Sequence, residues 1–322
     1  MSKVLVTGGA GYIGANLCKV LLDNGFEVRV FDDFSNGLES RLQGMNLEIQ
    51  KGSILDREAL TTAVSGVDSV IHLAAKKSVE ESVQEPLKYY ENNFSGTLNL
   101  LAAMASAGVK KIVFSSTAVV YASGGLEALS EGDRKEPLSP YAHSKLLSEE
   151  VLSLALKSEG ISSISLRYFN VVGAGGAGLG DNARDNLVPK TFAALRAKKA
   201  PEIYGDDYST RDGTCIRDYI HVVDLAESHL MALRALDKQA MAQAFNVGSG
   251  SGYTVKEVMA QIKKSSEIEF TPNLLERRAG DPESLVANID EIKKKLGWQP
   301  TVPLEKGLAR TIQYFKNTLA LK

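Results

Sequence analysis

Cysteine, histidine and tryptophan are scarce in this chain, and neither sign of charge dominates it. Among 322 residues there are two Cys, four His and one Trp. Cys18 and Cys215 lie far apart in sequence and form no disulfide framework, which suits a reducing compartment. The histidines, His72, His143, His221 and His229, show no zinc-type spacing with cysteine. His221 and His229 also lack the i,i+4 helical pairing of a metalloprotease, so no metal is expected. Lys+Arg 37 against Asp+Glu 39 leaves a net charge of -2. This balance excludes a basic nucleic-acid-binding protein and an acidic tail protein as first readings. No apolar run reaches the ~18 residues that span a bilayer. None behind Met1-Ser2-Lys3 is long enough for a signal peptide. The expectation is a cytoplasmic protein that engages neither nucleic acid nor membrane. A G-x-S-x-G elbow and a P-loop lysine motif are both missing, which leaves a hydrolase unsupported.

What the chain does have is alternation. Apolar, β-type runs at 4–7, 27–31, 47–50, 69–73, 111–115 and 163–167 alternate with helical patterns, notably 12–24, 87–107 and 141–157. Strand then helix, repeated, predicts an α/β protein with a Rossmann-type, doubly wound parallel sheet. Ligands of such a sheet bind outside the carboxyl ends of its strands, so the residues just after each run are where chemistry belongs. The rhythm changes after about residue 170. Residues 173–185 are rich in glycine and read as a loop, and 204–218 read as polar and turn-like. Residues 186–196 and 222–236 look helical, 244–247 look like a strand, and Thr254-Val255-Lys256-Glu257 fits a capping box. The expected division is a dinucleotide-binding domain over 1–172, with a return segment at about 220–247. A smaller, interleaved C-terminal substrate lobe takes 173–219 and 248–322.

Gly8-Gly9-Ala10-Gly11-Tyr12-Ile13-Gly14 follows the first strand and opens a helix. Glycines at this spacing permit a tight turn, let a pyrophosphate approach the backbone, and let helix and strand pack closely. The helix N-terminus then offers free N–H groups to the phosphates. Asp32 ends the next strand, about 20 residues on, where an acid accepts from the ribose 2′-hydroxyl. Asp32 and Asp33 would repel a 2′-phosphate, and no arginine adjoins them, so NAD is expected rather than NADP.

Tyr141-Ala142-His143-Ser144-Lys145 begins the helix after Pro140. A surface helix pair has this spacing too, so position carries the weight. The pair lies just beyond the strand end Val113-Phe114-Ser115-Ser116-Thr117, on the side where the cofactor belongs. At i,i+4 both side chains share one helix face. Tyrosine has a pKa near ~10, and a phenolate at pH 7 needs a shift of about three units, roughly 4 kcal/mol. One ammonium ~4 Å away contributes about that much at an effective dielectric near ~20. An oxidised nicotinamide adds a second positive charge. Lys145 and NAD⁺ are therefore expected to poise Tyr141 as a general base, with Thr117 sharing the substrate's hydrogen bond.

The motifs VTGGAGYIG, FSSTAVVY, SPYAHSK and RYFN, in this order, resemble the extended short-chain dehydrogenase/reductase family. Three further stretches, 76–97, 204–229 and 277–288, are similar to the UDP-glucose 4-epimerase group within it, and the likeness covers essentially the whole chain. The resemblance implies 4-epimerisation of a UDP-hexose. Tyr141 would take the 4-hydroxyl proton while hydride passes to tightly bound NAD, and the 4-keto sugar would turn before hydride returns. Cofactor contacts are implied at Gly8, Gly11, Tyr12, Ile13, Gly14, Asp32 and Asn36, and at Ser53, Ile54, Leu73, Ala74, Ala75 and Lys77. Asn93, Ser115, Tyr141, Lys145 and Tyr168 complete that set. Substrate contacts are implied at Thr117, Asn170, Asn186, Leu187, Tyr204, Arg217, Tyr219, Arg278 and Asp281. The arginines fit physically, since a planar fork suits a diphosphate. A homodimer through the helical stretches 87–107 and 141–157 is implied as well.

Some positions depart from the family pattern. Ser53 stands where an adenine-binding Asp is usual, Ala122 and Ala142 where glycines are usual, and Val171 where a Pro is usual. Leu285 stands where side-chain size is linked to tolerance of an N-acetyl group, so acetylated UDP-sugars and UDP-pentoses stay open as substrates. A nucleotide-sugar dehydratase would need an Asp-Glu pair where Ala118 and Val119 stand. A non-catalytic NAD-binding regulator would not need Thr117, Tyr141 and Lys145 together.

Overall fold

The computed structural model describes residues 2–121, 125–183, 185–278 and 280–319. Ala122 lies outside the described residues. The first six strands are β1 (Lys3–Thr7), β2 (Glu27–Asp32), β3 (Glu48–Lys51), β4 (Ser69–His72), β5 (Lys111–Thr117) and β6 (Ser162–Tyr168). Then come β7 (Asn170–Val172), β8 (Glu202–Tyr204), β9 (Ile216–His221) and β10 (Ala242–Val247). The last three are β11 (Gly252–Thr254), β12 (Asn273–Leu275) and β13 (Ser284–Leu285).

Seven strands form one parallel sheet in the order β10-β6-β5-β4-β1-β2-β3. Every residue of β4 and β6 is buried, as expected where helices cover both faces. Alternation along β1 divides the core in two. Val4 and Val6 face one layer with Leu17, Leu21 and Leu225 from helices Tyr12–Asp23 and Val222–Lys238. Leu5 faces the other, with Leu60, Leu100 and Leu152 from helices Arg57–Val64, Gly96–Ala107 and Pro140–Glu159. The order of strands reverses between β1 and β4, which opens a crevice at their carboxyl ends.

The second half makes a four-stranded sheet in which β9 pairs with β7, β11 and β13, and a separate two-stranded sheet of β8 and β12. Its core holds Val172, Phe192, Val258, Leu308 and Ile312. From β9 the chain re-enters the first sheet through helix Val222–Lys238 and edge strand β10. The Thr254–Glu257 capping box forms with both reciprocal bonds. One helical reading is corrected. The stretch 87–107 is not a single α-helix: Pro86–Tyr89 runs into a π-helical turn, Tyr90–Ser95, before Gly96–Ala107. The π turn carries Asn93 inward, where its side-chain amide meets the backbone of Lys76. Among the described residues no helix is long and apolar enough to cross a membrane, and no cluster of His, Cys, Asp and Glu could hold a metal.

Candidate active site

The glycine loop lies at the switch point. Gly8 has φ +72 and packs so closely that a Cβ would stand 2.7 Å from the Ala74 nitrogen. A Cβ on Gly14 would stand 2.2 Å from the Gly8 carbonyl oxygen. Helix Tyr12–Asp23 therefore starts hard against the end of β1. Its N-cap, Gly11, offers no side-chain cap, and no acidic residue sits in its first turn. The first N–H groups, Tyr12 and Ile13 among them, are left for an anion. Asp32 accepts from Ala10 N at 2.9 Å and from Phe34 N at 2.8 Å. Each carboxylate oxygen keeps a second lone pair for a ligand hydroxyl. Burial pushes the Asp32 carboxyl up from its ordinary value, and the two backbone donors oppose the rise.

The sequence finds no arginine beside Asp32, but the fold brings Arg41 there. Arg41 is 3% exposed and donates to the Ala10 carbonyl, the Gly180 carbonyl and, at 2.7 Å, Asn182 Oδ1. Its guanidinium is turned into the protein, so it makes no open 2′-phosphate pocket. Around the rim, Asn36 and Lys77 are exposed, Ile54 is buried against Gly96, and Leu73, Ala74 and Ala75 are half-buried beyond β4. Ser53 Oγ is used locally, accepting from Leu55 N at 3.2 Å. Asn93 is fully engaged within the protein. It accepts from Lys76 N and donates to the Lys76 carbonyl and to Ser144 Oγ on the helix of Tyr141.

That helix, Pro140–Glu159, opens with Ser139 as N-cap and Pro140 at its first position, both favourable there. Tyr141 and Lys145 follow on one face. Lys145 is 3% exposed, and its Nζ donates to the Ser115 carbonyl at 2.7 Å and lies 4.7 Å from the Phe114 ring centre. The Tyr141 ring meets Tyr89 edge-on at 6.4 Å. Thr117 is buried at the end of β5, and its Oγ1 caps Val119 N at 3.4 Å.

The expected depression of the Tyr141 pKa is not found in the free protein. Burial raises it, and only a hydrogen bond from Thr117 pulls it down. Burial also lowers Lys145 to about 7, with Glu149 opposing. The physical reason is shared: both groups are buried, and the loss of hydration disfavours the charged form of each.

Tyr168 stands opposite Thr117 across the β5–β6 pairing. Its hydroxyl meets His229 Nε2, while His229 Nδ1 faces the Leu225 carbonyl at 2.8 Å. Burial lowers His229 to about 4, so it is neutral, with Nδ1 donating and Nε2 accepting from Tyr168.

Sequence reasoning missed the support beneath this site. Glu149, one turn beyond Lys145, accepts from Arg167 Nε at 3.0 Å and Nη2 at 2.6 Å, and also from Ser116 Oγ. Arg167 Nη1 donates to Tyr121, whose hydroxyl donates to Asn246 Oδ1 at 2.6 Å. The signal was present: Tyr141, Lys145 and Glu149 repeat at i,i+4.

Apart from Thr117 on β5, the expected substrate residues lie on or beside the strands of the second half. Arg217 and Asp281 form an ion pair. Arg278 lies 3.8 Å over the Tyr204 ring, with Lys190 Nζ at 4.8 Å. The Tyr204 hydroxyl donates to Glu202 at 2.6 Å. Asn186 donates to Asp181 at 2.6 Å, and Asn170 is half-buried on β7. Leu187 and Tyr219 pack in the lobe core. Leu285 packs beside Ala118, Val120 and Phe169.

Residues 4–248 match the family model described as NAD dependent epimerase/dehydratase family. A UDP-glucose 4-epimerase from Halalkalibacterium halodurans is 40% identical over 306 residues, covering 93% of this chain and 91% of its own length. A crystal structure of UDP-glucose-4-epimerase from Stenotrophomonas maltophila, with bound NAD and formylated UDP-arabinopyranose, superposes with a TM-score of 0.95 at 33% identity, covering 100% of both chains. The UDP-glucose 4-epimerase of Bifidobacterium longum, in complex with NAD+ and UDP, gives a TM-score of 0.89 at 33% identity, covering 98% of this chain and 99% of its own.

Proposed function

The chain belongs to the NAD dependent epimerase/dehydratase family, and on that premise we propose that it is an NAD-dependent UDP-sugar 4-epimerase interconverting UDP-glucose and UDP-galactose. One observation carries the reading. An uncapped helix N-terminus behind a glycine loop and the Tyr141–Lys145–Thr117 group lie at the carboxyl ends of the same parallel sheet.

The residues present fit the dinucleotide. The close approach of Gly8, Gly11 and Gly14 leaves the backbone of Tyr12 and Ile13 to hold its pyrophosphate, and Asp32 keeps acceptor capacity for a ribose hydroxyl. When bound, NAD would supply the redox chemistry, as hydride acceptor from the sugar C4 and as donor of that hydride to the opposite face. As the phenolate, which the positive charges of protonated Lys145 and oxidised NAD would favour, Tyr141 Oη would accept the 4-hydroxyl proton and give it back. Thr117 donates toward the same oxygen and steadies the phenolate. Lys145, held to the Ser115 carbonyl, supplies a positive charge to the pocket when protonated. Arg217 and Arg278 offer guanidinium forks to the UDP diphosphate, and Asp281 can exchange its bond to Arg217 for one to the nucleotide.

The elimination chemistry of a dehydratase finds no acid–base pair at Ala118 and Val119. A homodimer is part of the proposal. Val83 and Leu87 are 63% and 80% exposed, and Leu154 on helix Pro140–Glu159 is 62% exposed. Such apolar side chains suit a second copy of the chain. A cytoplasmic setting suits two free, buried cysteines.

The test is incubation of purified protein with UDP-galactose, UDP-N-acetylgalactosamine and UDP-arabinose, each without added cofactor. Conversion of UDP-galactose to UDP-glucose is expected. Turnover of none of the three would refute the proposal.

A further inference from the structure

Tyr208 was not singled out by the sequence, yet it is held more firmly than its loop setting requires. Its ring carries the Arg277 guanidinium at 4.0 Å on one face, and Arg277 is fixed in turn by Asp207 at 2.6 Å. Gly205, at φ +80, lets the chain pass so close that a Cβ there would stand 2.5 Å from Tyr208 Cε2. The Tyr208 backbone N–H donates to the Gly213 carbonyl at 2.9 Å. The side chain is 4% exposed, and its hydroxyl is buried with no hydrogen-bond partner among the described residues.

A buried hydroxyl without a partner is costly, and few native groups are left so. Folding alone gives no reason to keep a tyrosine where phenylalanine would serve. The surroundings supply one. Burial raises the Tyr208 phenol, Asp281 and Cys215 add to the rise, and Arg277 and Arg217 oppose it. Arg277, which covers the Tyr208 ring, is the chain neighbour of Arg278, and Gly205, which packs on the ring edge, is the chain neighbour of Tyr204, so Tyr208 lies beside two residues assigned above to the nucleotide.

We propose that the Tyr208 hydroxyl is an additional nucleotide contact, donating a hydrogen bond to an oxygen of the bound nucleoside diphosphate beside Arg217 and Asp281. The proposal rests on the reading of this lobe as the UDP site. It has a signature that ordinary structural tyrosines lack, because stability and affinity respond in opposite senses. Removing an unpaired buried hydroxyl relieves the free protein, whereas removing a ligand contact weakens the complex.

The experiment compares wild type with Tyr208→Phe by calorimetric titration with UDP, and by thermal melting without ligand. Tyr208→Phe is expected to bind UDP roughly 3- to 30-fold more weakly, while melting at the same temperature as wild type or higher. Unchanged UDP affinity would overturn the proposal. So would a clearly lower melting temperature, which would give the hydroxyl a structural partner. Failure of the wild-type protein itself to bind UDP would instead sink the underlying reading of the lobe.

Discussion

Lys145 Nζ donates to the Ser115 carbonyl across 2.7 Å, tying the helix of Tyr141 to the strand that ends in Thr117. This bond fixes the amine inside the site at a cost. Burial lowers its pKa to about 7, against about 10.4 for an unfolded lysine. Below pH 7 both states are protonated and the folded chain carries the whole penalty. Between pH 7 and about 10 the unfolded chain keeps a proton that the folded chain has released, so stability rises with pH. Relative to Lys145→Met, wild type is expected to gain about 2–3 kcal/mol between pH 7 and pH 9. Urea unfolding at the two pH values measures this, and a flat difference would show that the amine titrates normally.

Glu149 sustains the charge on Lys145 and neutralises Arg167. Breaking a buried pair by removing one partner typically costs about 3–5 kcal/mol. Glu149→Gln is therefore expected to lower thermal stability and to move the alkaline fall in kcat to lower pH, because Lys145 loses its proton sooner. A pH–rate profile measures the second effect. A profile unmoved while stability drops would confine Glu149 to a packing role.

Gly14 leaves no space for a side chain. Its Cβ would stand 2.2 Å from the Gly8 carbonyl oxygen and 2.7 Å from Gly9 Cα, both backbone atoms. Gly14→Ala must push the helix away from the loop that would cradle the pyrophosphate. The expected result is at least tenfold less NAD retained on purification, measured by releasing the dinucleotide and assaying it. Full retention would mean that the phosphates lie elsewhere.

The sheet was legible in the sequence because its strands carry closely spaced apolar residues closed by polar or glycine punctuation, although β6 also buries Ser163, Ser165 and Arg167. The glycine loop, Asp32, and the Tyr141–Lys145 face were legible for the same local reason: their geometry depends on spacing along one element. Arg41 and Arg167 were not, since each acquires its role from a partner distant in sequence, Asn182 and Glu149 respectively.

The stretch around Arg217 is instructive in another way. Asp218, next to Arg217, is fully buried and accepts from Ser249, Gly250 and Ala287. His221 caps helix Val222–Lys238, and Asp224 holds Thr301 and Val302. Several residues of the stretch 204–229, which carries part of the family resemblance, are thus scaffold, with the Arg217 side chain paired toward Asp281. Motif spacing reveals the family but does not separate ligand contacts from the bonds that position them.

The account's central claim is that Tyr141 exchanges the proton of the sugar 4-hydroxyl. The direct measurement is the rate of UDP-galactose conversion by Tyr141→Phe against wild type, with bound NAD quantified in both. A loss of at least about 10²-fold in kcat with NAD content unchanged is predicted. A rate within a few-fold of wild type would contradict it.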